Sequence, residues 1–346
     1  MKDKLKISLI CALAALIAGP LLFLILAGSG ITKTVIACII TAAVIAAVMF
    51  FLTYKLDGKS LRFTVPVYIL AGFVSLITAF SVIIINIAPT FLFHPHFDED
   101  AYEELLELDG KAGRPAPEYL ESSSGTITGW RLPAKDVPED RSRPAVLVLM
   151  GNGQEASSYA MYIIEHDDIY GGITSSCDMF MFDYPQYGQS TGHLTASGLR
   201  EMSLEAYETV DGISVIDDIY VMGYSIGTGV ACYLASEADV DGLILMAPYR
   251  DSYDIYNNVL DLFHGPTKLL VTYRMNSYKY AKKVSCPVII FASDADEVIP
   301  YRSSQALFTC FSNTSVDFVT VTGAAHNDFL SDQDVLSRTA EFITGG

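Results

Sequence analysis

The first 92 residues are apolar in three long runs, at 7–27, 35–54 and 65–92, with short polar breaks between them. Each run is near or above the ~20 residues that carry a helix across the hydrocarbon core, and none holds a charged side chain. The pattern predicts three transmembrane helices. The length of the first run, and the two runs that follow it, set it apart from a secretory signal. Residues 94–124 read as a connector, with an acidic helix near 97–109 and then a loop rich in Gly, Pro and Ser. From 125 onward short β-rich runs alternate with helical patterns. Strands are expected at 126–132, 145–150, 178–183, 219–223, 242–246, 287–292 and 316–321. Helices are expected near 154–169, 197–212, 226–237, 301–311 and 330–343.

Runs such as Ala145-Val-Leu-Val-Leu-Met150 are apolar at every position, which suits strands buried on both faces of a parallel sheet. The fold class expected is therefore α/β, a mostly parallel sheet covered by helices on both faces and preceded by three transmembrane helices. The domain plan is a membrane region at 1–93, an acidic connector at 94–124 and a globular domain at 125–346 with a small lid at 249–284. Ligands of such sheets bind beyond the carboxyl ends of the strands, so the chemistry is expected in the loops there.

Charge sharpens this division. Of 22 basic and 40 acidic residues, seven basic and two acidic fall within 1–92, leaving 15 and 38 downstream, a net of −23. A domain so acidic argues against nucleic acid, whose phosphates require Lys and Arg. Lys2, Lys4 and Lys6 precede the first run, and Lys55, Lys59 and Arg62 lie between the second and third. The positive-inside rule then places the N-terminus in the cytoplasm and the globular domain outside, on a multi-pass protein of the cell membrane. No intramembrane carboxylate, Arg or His marks an ion path, so the helices are read as an anchor. Of six cysteines, Cys177, Cys232, Cys286 and Cys310 lie in the globular part. They are read as small buried hydrophobes, with a disulfide among them left open. No C-x-x-C or Cys/His cluster occurs, so no metal and no organic cofactor is expected.

The candidate chemistry begins at Gly223-Tyr224-Ser225-Ile226-Gly227, a G-x-S-x-G pattern between an apolar strand and a helix. A Ser at the apex of such a turn sits in a strained conformation, and the flanking glycines admit close backbone approach. Serine is a weak nucleophile at neutral pH and needs a base that is itself oriented by a carboxylate. The chain order for this arrangement is Ser, acid, His. Among the histidines only His326 follows a late strand, which makes it the candidate base. The segment ending in Asp294-Ala-Asp296-Glu297-Val-Ile-Pro300 offers three carboxylates. Asp296 is preferred to Asp294 because Glu-Val-Ile-Pro leads from it into the next helix. Glu297 is read as a solvated charge, and Asp328 is an outside candidate read as the cap of the last helix. The oxyanion of the reaction needs donors. The backbone N–H groups of Ile226 and of Asn152, in Gly151-Asn152-Gly153, are expected to supply them.

Residues 125–346 resemble the α/β-hydrolase superfamily, in particular acylglycerol lipases, ABHD-type thioesterases and prolyl-oligopeptidase-like enzymes. The resemblance rests on Gly129-Trp130-Arg-Leu-Pro133, Gly151-Asn152-Gly153, Phe182-Asp183-Tyr184-Pro-Gln-Tyr187-Gly188-Gln-Ser190-Thr-Gly192, Gly223 to Gly227, Cys286-Pro287, Asp296 to Pro300 and Gly323-Ala-Ala-His326-Asn-Asp328. It implies that Ser225, Asp296 and His326 form a catalytic triad. Two positions depart from the family: Met150 where His is common, and Ser293 where Gly is usual.

The function expected is a membrane-anchored serine hydrolase that cleaves an ester, thioester or amide through an acyl-serine. Its partners would be a small-molecule, lipid or acyl substrate and the membrane, with the oligomeric state left open. The six tyrosines of 249–284 either line an acyl pocket or pack the lid. The alternatives are a non-catalytic membrane-bound scaffold on the same fold and an acyltransferase using the same three residues.

Overall fold

A computed structural model describes residues 31–56, 58–87, 92–108, 115–122 and 125–345. These residues fall into two compact units. One holds those up to residue 91 together with Thr267–Thr272, and the other holds Leu92–Pro266 and Tyr273–Gly346.

In the first unit two helices, Ile31–Leu56 and Leu61–Ile87, coincide with the second and third apolar runs. The first run, 7–27, lies outside the described residues. Among the described residues one helix is long and apolar enough to cross a membrane, over the 19 residues Thr64–Val82 with a mean hydropathy of 2.1. The three-span anchor expected from the sequence is thus supported at one place, not three. Length and apolarity alone do not separate a span from a core helix or a signal. The third span also ends earlier than expected, because Leu92 is buried in the second unit.

The second unit is built on an eight-stranded sheet. The strands are β1 (Ala116–Ser122), β2 (Gly125–Leu132), β3 (Arg143–Leu149), β4 (Asp178–Phe182), β5 (Ile216–Tyr224), β6 (Gly242–Met246), β7 (Val288–Ala292) and β8 (Val316–Thr320), in the spatial order β1-β2-β4-β3-β5-β6-β7-β8. β1 pairs antiparallel with β2 and β2 antiparallel with β4, and every later pairing is parallel. Every residue of β4, β6 and β7 is buried. This is the signature of strands covered on both faces. Helices Ala156–Glu165, Asp167–Thr174 and Gln333–Thr344 form one covering group, and Ala196–Asp211 with Gly227–Glu237 the other.

Local signals fix the helix ends. The Thr195 hydroxyl accepts the Gly198 N–H at 3.0 Å, and Asp332 accepts the N–H groups of Asp334 and Val335. Gly345 closes the last helix in the left-handed region at φ 82°. The single helix expected over 154–169 is instead two, broken at His166, whose φ of −109° and ψ of 40° are non-helical. Strand β1 falls where a loop was expected. Where β3 and β4 begin, Asp178, fully buried, accepts Arg143 Nε and Arg131 Nη2, both at 2.6 Å, and so ties β2, β3 and β4 together.

Candidate active site

The strand β5 delivers Ser225 to a tight turn before helix Gly227–Glu237. Its φ of 53° lies in the left-handed region, costly for a residue with a side chain. The turn is held by Ser225 N–H to Met246 O at 2.9 Å and by the Thr228 hydroxyl to Ser225 O at 2.6 Å. Glycine is required at 227: a Cβ there would sit 2.0 Å from Leu149 O. Gly223 is similarly confined, 2.7 Å from the Ala231 Cβ.

Ser225, His326 and Asp296, brought from three separate strand ends, form one hydrogen-bonded chain. The Ser225 Oγ lies 2.8 Å from His326 Nε2, and His326 Nδ1 lies 2.8 Å from Asp296 Oδ2 and 3.0 Å from Oδ1. A carboxylate only accepts, so the imidazole proton sits on Nδ1 and Nε2 is left to accept from the serine hydroxyl. Asp296 is fixed in turn, its Oδ1 accepting the N–H groups of Val298 and Ile299, each at 2.8 Å. The side chains of His326 and Asp296 are 7% and 2% exposed, so the pair is shielded from water's competition.

The other acidic candidates have structural partners. Asp294 accepts the Gly323 N–H at 2.8 Å. Asp328 accepts the Ala325 N–H at 2.7 Å and caps the 3-10 turn His326–Leu330, whereas Asp332 caps the last helix. Glu297 is not the purely solvated charge expected, because it accepts the His326 main-chain N–H at 3.2 Å. The serine at 293, where glycine is usual, donates to Ala324 O at 2.6 Å and so ties the acid loop to the histidine loop.

Around the expected oxyanion donors, Gly151 N–H is taken by Gln154 Oε1 at 2.7 Å and Gly153 N–H is directed to the Tyr187 hydroxyl. The N–H groups of Asn152 and Ile226 have no acceptor among the described residues. The helix Gly227–Glu237 begins immediately after Ile226, and its N-terminal dipole favours negative charge at that point.

Two tyrosines that the sequence reading did not single out shape the site. Tyr224 stacks on His326 with centroids 5.3 Å apart, and Tyr184 donates to Met150 O at 2.7 Å. Burial raises the phenol pKa of both, Tyr224 further through the Asp296 charge and Tyr184 through the neighbouring Tyr273, so both remain donors. Their neighbours in sequence, Ser225 and Asp183-Tyr-Pro, were the only signal available. Of the six tyrosines of 249–284, Tyr249, Tyr256 and Tyr273 are buried. The cysteines Cys177, Cys232, Cys286 and Cys310 are free thiols, and burial raises the pKa of the first three. Among the described residues no group of His, Cys, Asp and Glu is arranged to hold a metal.

Comparison with known proteins agrees with this architecture. A family model described as the alpha/beta hydrolase fold matches residues 144–284. The chain has the α/β-hydrolase fold. It is 30% identical over 179 residues to the alpha/beta hydrolase domain-containing protein aho-3 of Caenorhabditis elegans, covering 51% of this chain and 52% of that one. It is 27% identical over 238 residues to an uncharacterized protein of Mycobacterium tuberculosis, covering 67% and 80%. The human alpha/beta hydrolase domain-containing protein 17C is 28% identical over 176 residues, covering 50% and 51%. The chain thus spans about half the length of aho-3 and of the human protein. Among solved α/β-hydrolase structures, the Pyrococcus furiosus esterase Pf2001 superposes with a TM-score of 0.57 at 15% identity, over 73% of this chain and 98% of that one. Est1E of Butyrivibrio proteoclasticus, with ferulic acid bound, does so with a TM-score of 0.53 at 18% identity, over 66% and 100%. Identities this low speak to the fold alone.

Proposed function

We propose that the protein is a serine hydrolase that cleaves a carboxylic ester, thioester or amide through an acyl-Ser225 intermediate. The observation that carries this reading is the continuous hydrogen-bonded chain from Ser225 Oγ through His326 to Asp296 at the apex of a strained turn. In the reaction Ser225 Oγ attacks the carbonyl carbon while His326 Nε2 takes its proton, and Asp296 stabilises the imidazolium that forms. The oxyanion is received by the N–H groups of Asn152 and Ile226. His326 then returns the proton to the leaving group as the acyl–oxygen, acyl–sulfur or acyl–nitrogen bond breaks. Water, activated by the same base, releases the acid and restores Ser225.

The membrane reading rests on helix Leu61–Ile87. Ile69, Leu70, Phe73 and Leu76 are each more than 60% exposed, an apolar surface that lipid would cover. Lys55, Lys59 and Arg62 lie just before Thr64–Val82, and under the positive-inside rule this favours a hydrolase domain outside the cytoplasm. A hydrolase held there meets acyl lipids, acylated proteins and envelope esters. The esterases that share the fold make an ester the first substrate class to try.

The test is turnover of p-nitrophenyl butyrate and of a palmitoyl thioester by the purified full chain in detergent, compared with Ser225→Ala. The proposal expects hydrolysis by the wild type and a loss of at least about 10⁴-fold in the variant. A folded wild type that turns over neither would contradict it and favour a non-catalytic scaffold. Acyl transfer to an added alcohol or amine in preference to water would identify an acyltransferase instead.

A further inference from the structure

A second hydrogen-bonded cluster is built on the loop after β3, and the acyl-transfer chain does not use it. The Asn152 amide is held at both its polar atoms. Oδ1 accepts the His94 main-chain N–H at 2.8 Å and the Tyr187 hydroxyl at 3.2 Å, while Nδ2 lies 2.8 Å from His94 Nδ1. An amide nitrogen only donates, so Nδ1 of His94 is the acceptor. The His94 N–H also reaches the Tyr187 hydroxyl at 3.0 Å.

The segment that presents His94 has no regular secondary structure and is pinned on either side of it. Phe93 meets Tyr273 edge-on with centroids 4.8 Å apart, and the His96 carbonyl accepts the Gly188 N–H at 2.9 Å. Asn152 is only half-buried, and water could satisfy its amide without any of these contacts. Three bonds on one side-chain amide fix its torsions and with them the peptide plane that carries the Asn152 N–H. That N–H is the one in the Gly151–Gly153 turn left without an acceptor.

We propose that His94 is a positioning residue. Through Nδ1 and its main-chain N–H it locks the Asn152 side chain and so aims the Asn152 main-chain N–H at the substrate oxyanion. The inference rests on the acyl-transfer reading of Ser225.

Three variants of the full chain, His94→Ala, His94→Asn and His94→Gln, test it. The Asn side chain places a polar atom where Nδ1 stands, whereas Gln extends to the position of Nε2. With p-nitrophenyl butyrate the Ala and Gln variants are expected to lose about 10- to 100-fold in kcat. Their KM should stay within about threefold of wild type, since the group acts on the transition state. The thermal midpoint should hardly move, and His94→Asn should recover most of kcat. In the double variant with Asn152→Ala the two losses should not add. Unchanged kcat in His94→Ala, no recovery in His94→Asn, or losses that follow the melting temperature would overturn the inference while wild-type turnover leaves the acyl-transfer reading standing. A folded wild type without turnover would overturn both.

Discussion

The Tyr224 hydroxyl donates to the main-chain oxygen of His326 at 2.8 Å, so the residue before the candidate nucleophile holds the loop that carries its base. The same hydroxyl lies 3.2 Å from Asn327 Oδ1, and the ring stacks on the imidazole at an interplanar angle of 28°. The Ser225–His326 distance is therefore set from both residues of one strand end. Tyr224→Phe keeps the stacking and removes the bond. It should cost about 1–3 kcal/mol in urea unfolding, because a buried carbonyl loses its donor. Turnover of an ester should fall roughly tenfold with little change in KM as the imidazole loses its support.

Asp296→Asn should leave the fold intact, because the Asn oxygen can still accept the Val298 and Ile299 N–H groups. Its amide nitrogen can no longer accept from His326 Nδ1, and the imidazole loses its tautomer. A drop of about 10⁴-fold in kcat is expected, with circular dichroism unchanged. A drop below tenfold would move the acid elsewhere.

Gly227 and Gly153 separate packing from backbone conformation. A Cβ at 227 meets Leu149 O and Met150 O at 2.0 and 2.5 Å, both backbone atoms that cannot move aside cheaply. Gly227→Ala should destabilise by about 3 kcal/mol or more in urea unfolding. A Cβ at 153 meets nothing within 4 Å, and only the φ of 70° opposes it. Gly153→Ala should cost about 1–2 kcal/mol.

Asp183 gives stability a pH dependence. Burial, and then the charge of Glu155, push its carboxyl up to about 7, against the Ala156 N–H and the Thr128 hydroxyl, which favour ionisation. In the unfolded chain an aspartate titrates near ~4. The folded state thus holds a proton that the unfolded state releases. The stability it contributes is full below the unfolded pKa and is lost as pH rises through the folded one. The thermal midpoint should fall from about pH 5 to about pH 8, and Asp183→Asn should flatten that fall. An identical slope in the variant would remove Asp183 as its cause.

Much of this architecture is written in local pattern. The strands β6 and β7 are apolar throughout, and β3 and β4 are so beyond Arg143-Pro144 and Asp178 at their starts; these runs were legible because both faces are buried. Strand β1 was not, because at the sheet edge only Leu120 of its seven residues is buried and no apolar run marks it. The Gly223 to Gly227 turn was legible because steric demands fix its glycines. Pairings across the fold were not: His94 meets Asn152 over 58 residues and Tyr224 meets His326 over 102, with no periodicity to link them. Glu297 was misjudged for the same reason, since its acceptor role depends on where another loop places the His326 N–H. The apolar runs near the N-terminus were legible as runs, but length and hydropathy alone did not establish how many of them are spans.

Whether Ser225 is an activated nucleophile can be read by covalent labelling without knowledge of the substrate. The detergent-solubilised full chain is treated with a fluorophosphonate and the modified peptide identified by mass spectrometry. An activated Ser225 gives one adduct, on Ser225, formed within minutes at neutral pH, absent in Ser225→Ala and slowed at least about 100-fold in His326→Ala. A folded wild type that takes no label, or takes it on another residue, would contradict that activation.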